Sequence, residues 1–389
     1  VSPESNFFPQ PISARSIIVA GIVALAVAMG IGRFAFTPLL PLMLRDGTIS
    51  ASIGADWAAA NYGGYLIGAL TASRMGRHMP RNLHAALLGV AISTVLAAFI
   101  QAPLPGAALR FAAGVLSAWV LVLASSWCLA NLARQGAIQF GAWIYTGVGI
   151  GIALAGALAW LGGLQPAWLL WLELGLLAAV GTTTVMIALP RASGAAFSES
   201  RAEQTGVVRG HLELVICYGA FGFGYIVPAT FLPVLARQQV DNPLVYGLTW
   251  PLFGIAAALS VAVVSQLLSA APRRRVWAVA QAIMAIGTGL PVLTRSLWSL
   301  TLSAALVGGT FMITTMAGLQ LARELAPHNP TPLLARMTAG FAAGQIAGPV
   351  LVRLLSVQSM TGMDGMTLAS AIAALLLALT AMWLWRDSR

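Results

Sequence analysis

The chain contains no lysine, and its 21 basic residues, all arginine, face only 11 Asp and Glu. Without a lysine there can be no Walker-type phosphate loop. The run Gly147-Val-Gly149-Ile-Gly151 therefore reads as close helix packing in an apolar segment, not as a nucleotide cradle. Cysteine is nearly absent as well. Cys128 and Cys217 both fall inside apolar runs, where they read as small buried residues and not as a disulfide or metal pair. No zinc-ligand spacing and no nucleophile elbow is present, so no metal, cofactor or catalytic centre is expected and the chain does not read as an enzyme. Charge of either sign is scarce too, at 8% of residues, where soluble domains carry about 25%.

Apolar residues fill the gap: they make up 59% of the chain and recur in runs of roughly 20. Each run is long enough to cross about 30 Å of hydrocarbon as a helix, and the ~10-residue alternation of a membrane barrel is missing. The expected fold is an all-α polytopic membrane protein with about twelve transmembrane helices. They are placed near 14–44, 52–73, 82–101, 106–132, 137–161 and 167–189, then 211–237, 243–270, 275–294, 297–324, 332–357 and 362–385. The polar stretch 190–210 reads as a linker, dividing the chain into six-helix bundles at 1–189 and 211–389.

An internal repeat supports that division. Gly30-Ile-Gly32-Arg33 through Leu40-Pro41 and Arg45 aligns without gaps on Gly222-Phe-Gly224-Tyr225 through Leu232-Pro233 and Arg237. Parallel repeats of this kind relate two halves about an axis along the membrane normal. The chemistry of the copies diverges most at Arg33, whose counterpart is Tyr225.

Arginine placement gives the orientation. With Arg33 in the membrane and Arg45, Arg110, Arg237, Arg295 and Arg353 on one side, the other fifteen of the 21 collect on the side of the termini. The positive-inside rule then puts both termini in the cytoplasm, and the bilayer would be a bacterial inner membrane. A basic charge spread over short loops sets topology and does not make a nucleic-acid stripe. Trp168, Trp171, Trp383 and Trp385 are expected in interfacial belts. The first residues, Val-Ser-Pro-Glu, carry no basic region before a short apolar core, so no cleaved signal is expected.

Several motifs together resemble the major facilitator superfamily, and within it a bacterial YbfB/YjiJ-type branch. They are 30–43 on the first helix, Ala60-Asn61-Tyr62-Gly63-Gly64-Tyr65 on the second, Arg110-Phe-Ala-Ala-Gly114 on the fourth and Gly308-Gly309-Thr310-Phe311 on the tenth. The resemblance implies a twelve-helix transporter of small solutes, and links Arg110 to proton coupling. The superfamily's loop after the second helix usually carries an Asp, where this chain has Ser73 before Arg74, Gly76 and Arg77. A cytoplasmic latch built on that acid is not expected here.

Arg33 is the sharpest candidate for solute binding. A charge near the bilayer centre costs at least about 2.5–3.5 kcal/mol, so something must offset it. The alternatives are a solute anion suited to the guanidinium fork, or an internal anchor to carbonyls freed near Pro38 and Pro41. Arg110 is either a second cation of the cavity or an arginine snorkelling at the interface. Asn61 and Tyr65 on the second helix, Tyr218, Phe221 and Tyr225 on the seventh, Thr314 on the tenth, and Phe341 and Gln345 on the eleventh share faces at helical spacing. As a group they suggest an apolar cavity with a few polar anchors, and singly they are the usual stuff of helix packing. Asp56 and Glu173 are the acids in or near the membrane: each could carry a coupled proton, or hydrate at the interface or neutralise an arginine.

The expected function is a secondary active transporter. It would move a small anionic or carboxylate-bearing solute by alternating access, coupled to protons and working as a monomer. Proton-antiport efflux of lipophilic drugs or metabolites is the alternative within the class, and a solute sensor that does not transport is the alternative outside it.

Overall fold

A hydrocarbon solvent offers no partner to backbone N–H and C=O groups, so a spanning chain without barrel strands must satisfy them within helices. The computed structural model describes residues 12–75, 79–189, 211–239, 247–267, 271–294, 296–326, 331–357 and 365–386. Twelve helical rods run through them. They are α1 (Ala14–Arg45), α2 (Ala51–Met75), α3 (Met79–Leu96), α4 (Pro103–Arg134), α5 (Ile138–Leu161) and α6 (Ala167–Ala188). The second set is α7 (Leu212–Gln239), α8 (Thr249–Leu267), α9 (Arg273–Leu293), α10 (Leu297–Leu325), α11 (Thr331–Val357) and α12 (Gly365–Arg386). Nine of these, among the described residues, are long and apolar enough to span a membrane by composition alone. Ends are set locally: Ser13 caps α1 and Ser296 caps α10, each side chain accepting a backbone N–H of the first turn.

Two expected features differ. The third helix stops at Leu96, not near 101, because Ala98 and Phe99 tighten into i→i+3 turns ahead of Pro103. Trp171 was placed in an interfacial belt, yet its ring is 1% exposed. It faces inward, against Arg110, whereas Trp168 on the same helix is exposed. The linker 190–210, the N-terminal segment and the Gly76-Arg77 part of the loop motif lie outside the described residues.

Small residues let the rods approach. On α5, Gly147 and Gly151 sit against the α1 backbone at Ile22 and Ala26, while Gly149 and Gly156 sit against α8 at Ala258 and Pro251. The glycine run is thus a two-sided packing surface, with one side joining the halves. The repeat also shows in packing: Gly30 meets Gly151 on α5, and its counterpart Gly222 meets Phe341 on α11. Both cysteines are buried and free. Large apolar side chains such as Ile92 on α3, Leu176 on α6, Ile286 on α9 and Leu375 on α12 point outwards, as a lipid-facing periphery requires.

An adjacent pair of glycines on α2 tests this packing. A Cβ at Gly64 would lie 2.0 Å from the Phe111 carbonyl oxygen, whereas at Gly63 the nearest atom, on the Phe111 ring, is 3.9 Å away. Gly64→Ala should destabilise the bundle by about 1–3 kcal/mol through overpacking. Gly63→Ala should be neutral or stabilising by up to about 1 kcal/mol from helix propensity. Thermal unfolding of both variants in detergent checks the contrast.

Candidate functional site

The site begins with a defect in α1. Residues Ala26–Phe34 form a π-helical segment between two α-helical pieces, and all nine are buried. In π register the carbonyl of residue i bonds the N–H of residue i+5. For Arg33 that residue is Pro38, which has no N–H. Arg110 of α4 donates to the carbonyls of this turn. Its Nη2 donates to the Arg33 carbonyl at 3.0 Å and its Nη1 to the Gly32 carbonyl at 3.3 Å. The rings of Phe36 and Trp171 flank the guanidinium at 4.9 and 5.9 Å. Asn61 Nδ2 in turn donates to the Arg110 carbonyl at 2.9 Å, where Gly114 brings α4 against α2. The anchoring to backbone carbonyls considered for Arg33 is therefore made by Arg110, whose terminal nitrogens both lie on the α1 backbone.

Arg33 points the other way, across the interface between halves, and is 3% exposed. Its Nη2 donates to Gln345 Oε1 on α11 at 2.7 Å, and Gln345 Nε2 donates to the Tyr225 hydroxyl. The mismatched repeat positions, Arg33 and Tyr225, thus hold opposite ends of one glutamine. The Arg33 guanidinium lies 3.6 Å from the centre of the Tyr65 ring, with Phe34 and Tyr62 at 5.2 and 6.0 Å. Tyr225 is stacked between Phe311 and Phe341, at 5.7 and 5.6 Å and nearly parallel to both. Phe221 and Tyr218 continue the ring contacts along α7. Thr314 is fully buried one turn along α10 from Phe311, its hydroxyl without a hydrogen-bond partner.

Arg33, Tyr65, Tyr218, Phe221, Tyr225, Phe341 and Gln345 therefore come together. Phe34, Tyr62, Thr230 and Phe311 join them without having been singled out from sequence. Tyr62 and Thr230 share a hydrogen bond across the halves at 3.0 Å. The position of Phe34 beside Arg33, and of Phe311 in the tenth-helix motif, was the available signal.

The acids lie elsewhere. Asp56 is exposed and pairs with Arg353 at 3.2 Å across the halves, while Glu173 is half-buried on α6. Among the described residues, no carboxylate contacts Arg33 or Arg110. On the face away from the termini, Arg237 Nη1 donates to the Pro41 carbonyl at 2.7 Å, closing α7 on α1. Its repeat counterpart Arg45 stays within its own half, on the Gly163 and Gln165 carbonyls and Asp46.

A cavity of about 890 Å³ opens between the halves on the side of the termini. Gln139, Trp143 and Tyr145 of α5 line it, with Gln266 of α8, Arg273 of α9 and Thr315, Gln320 and Arg323 of α10. None of the residues singled out from sequence lies on its wall. The top of the cavity reaches Ile313 and Thr315, beside the ring cluster around Phe311. The closed face and the open face lie on opposite sides of Arg33.

The family model for the uncharacterised YbfB-type transporters of the major facilitator superfamily matches residues 25–384. The chain belongs to that family. No curated protein sequence matches it. Among solved structures, the nucleoside transporter NupG aligns at a TM-score of 0.67 and 15% identity, covering 96% of this chain and 98% of that one. A D-xylose-proton symporter aligns at 0.71 and 13% identity, covering 97% and 98%. The human organic anion transporter MFSD10 aligns at 0.68 and 16% identity, covering 95% and 99%. At such identities the likeness shows the fold, and the cargo of this YbfB-type transporter has to be argued from its own residues.

The clip on α1 yields a stability prediction. Lysine keeps the charge of Arg110 but not its planar fork, so Arg110→Lys cannot reach both carbonyls in the same way. Hydrogen bonds from charged donors contribute about 1.5–3 kcal/mol. Arg110→Lys should lower the thermal unfolding midpoint of the purified protein, and Arg110→Leu should lower it further.

Proposed function

We propose that this YbfB-type transporter is a secondary active carrier of small organic anions, with Arg33 as the anion's anchor. One observation carries the reading: a buried guanidinium at the junction of the halves meets an amide oxygen and aromatic faces, and no carboxylate among the described residues. A buried cation without a counter-charge is costly. Cation–π contacts and one amide offset part of that cost, and an anionic solute would offset the rest. The ring cluster would also suit a lipophilic cation, as an efflux pump requires, but Arg33 at its heart would repel one.

Alternating access supplies the mechanism. With the termini placed in the cytoplasm by arginine counting, the cavity opens inward and the opposite face is shut by Arg237 on Pro41, Tyr62 on Thr230 and Asp56 on Arg353. The solute would enter from the cavity, displace Gln345 from Arg33, and loosen the bridge that holds the halves at mid-membrane. Rocking about the glycine contacts between α5 and α8 would then expose the site on the other side. A coupled proton would be carried apart from the solute, whose charge Arg33 balances. Asp56 fits that role better than Glu173, because protonating it releases an ion pair between the halves. That pair is exposed, so its contribution to gating stays below about 1 kcal/mol.

Reconstituted protein tests the anchor. Arg33→Gln should reduce counterflow of a transported organic anion more than tenfold, and wild-type rates in that variant would refute the assignment. The outer gate is checked separately. In Arg237→Gln, a cysteine introduced at Leu42 should react faster with a membrane-impermeant maleimide than in the parent, because α7 no longer holds the Pro41 carbonyl.

A further inference from the structure

We infer that the anion is a flat aromatic or heteroaromatic ring bearing a single carboxylate. The inference rests on the anion reading above and adds the solute's shape and charge. Its first support is the edge of Arg33. Nη2 holds the Gln345 amide oxygen at 2.7 Å, and the neighbouring Nε has no hydrogen-bond partner. A carboxylate replacing that one oxygen engages Nε and Nη2 together, the side-on bidentate geometry that guanidinium favours. Gln345 then keeps its bond to the Tyr225 hydroxyl and stays as a wall of the site.

The second support is the count of cations. Of the two buried arginines among the described residues, Arg110 has both terminal nitrogens on the α1 backbone. The centre therefore offers one guanidinium to a ligand. A second carboxylate, or a phosphate dianion, would be desolvated there without a partner. The site thus discriminates by withholding a second charge as well as by supplying the first.

The third support is the set of ring planes. Phe311, Tyr225 and Phe341 lie within 11° of parallel across α10, α7 and α11, and the Tyr65 face lies against Arg33 from α2. The contacts continue from Tyr225 through Phe221 to Tyr218 on α7, and the cavity comes within two residues of Phe311 on α10. A flat ring that reaches Arg33 would stack against the parallel rings beside it and meet the tilted and edge-on rings of Phe221 and Tyr218 along α7. A puckered ring of equal size meets the same walls with its axial hydrogens and cannot stack.

Three acids and one amide built on a six-membered ring separate these elements, with binding to the purified protein measured by calorimetry. Benzoate is expected to bind at least tenfold tighter than cyclohexanecarboxylate, terephthalate or benzamide. Phe341→Leu should shrink the preference for benzoate over cyclohexanecarboxylate, and Arg33→Gln should abolish benzoate binding while gel filtration shows an intact monodisperse protein. Equal affinity for cyclohexanecarboxylate would overturn the flat-ring inference and leave the anion reading standing. Tighter binding of terephthalate would overturn the single-charge inference alone. Benzamide binding as well as benzoate, or no carboxylate binding at all, would overturn both. The wild-type comparison decides these points even if a variant fails to fold.

Discussion

The centre of this protein is organised around two carbonyls of α1, those of Gly32 and Arg33, that Arg110 holds from the next helix pair. Lipid cannot satisfy a backbone oxygen, so a helix carrying Pro38 and a π-helical segment needs a donor from elsewhere in the bundle. Arg110 is that donor, and its position has consequences outward. It ties α4 to α1, places Trp171 inside the bundle, and leaves Asn61 bound to its own carbonyl at the tight crossing of α2 and α4. With α1 held from behind, Arg33 projects into the junction of the halves. Two buried arginines of the same half thus do opposite jobs: one is consumed by the fold and the other is left to chemistry.

The fold was legible because hydrocarbon imposes a length on every span and cannot tolerate unpaired backbone. Runs of about 20 apolar residues, broken by arginine-bearing loops, gave helix positions near the observed ones. The two-half organisation showed in the repeated Gly and Pro positions, of which Gly30 and Gly222 pack α1 on α5 and α7 on α11 in the same manner. The cluster was partly legible too. Arg33 stood out as a charge in an apolar run, Tyr225 as its mismatched counterpart, and Gln345 with Phe341 by their shared helix face.

Other features depended on information that one sequence does not carry locally. The role of Arg110 hangs on a different helix, whose Gly32 and Arg33 carbonyls it reaches only once α4 packs on α1. Trp171 could be read as an interfacial belt residue because burial depends on helix rotation, and α6 is apolar on all sides. The cavity walls escaped notice for a further reason. They come from helices of both halves, and residues such as Gln139 and Gln320 look like ordinary helix residues until the helices are packed side by side.

The bridge from Arg33 to Gln345 also has an electrical side. Arg33 brings a guanidinium into the buried junction of the halves, so an empty carrier would hold a positive charge within the membrane. Each 100 mV of potential acts on a full elementary charge with about 2.3 kcal/mol. A carrier loaded with a monoanion is neutral at that point and crosses without sensing the field there. Voltage would then act on the return of the empty carrier, and the membrane potential would set the pace of the cycle through the step in which nothing is carried.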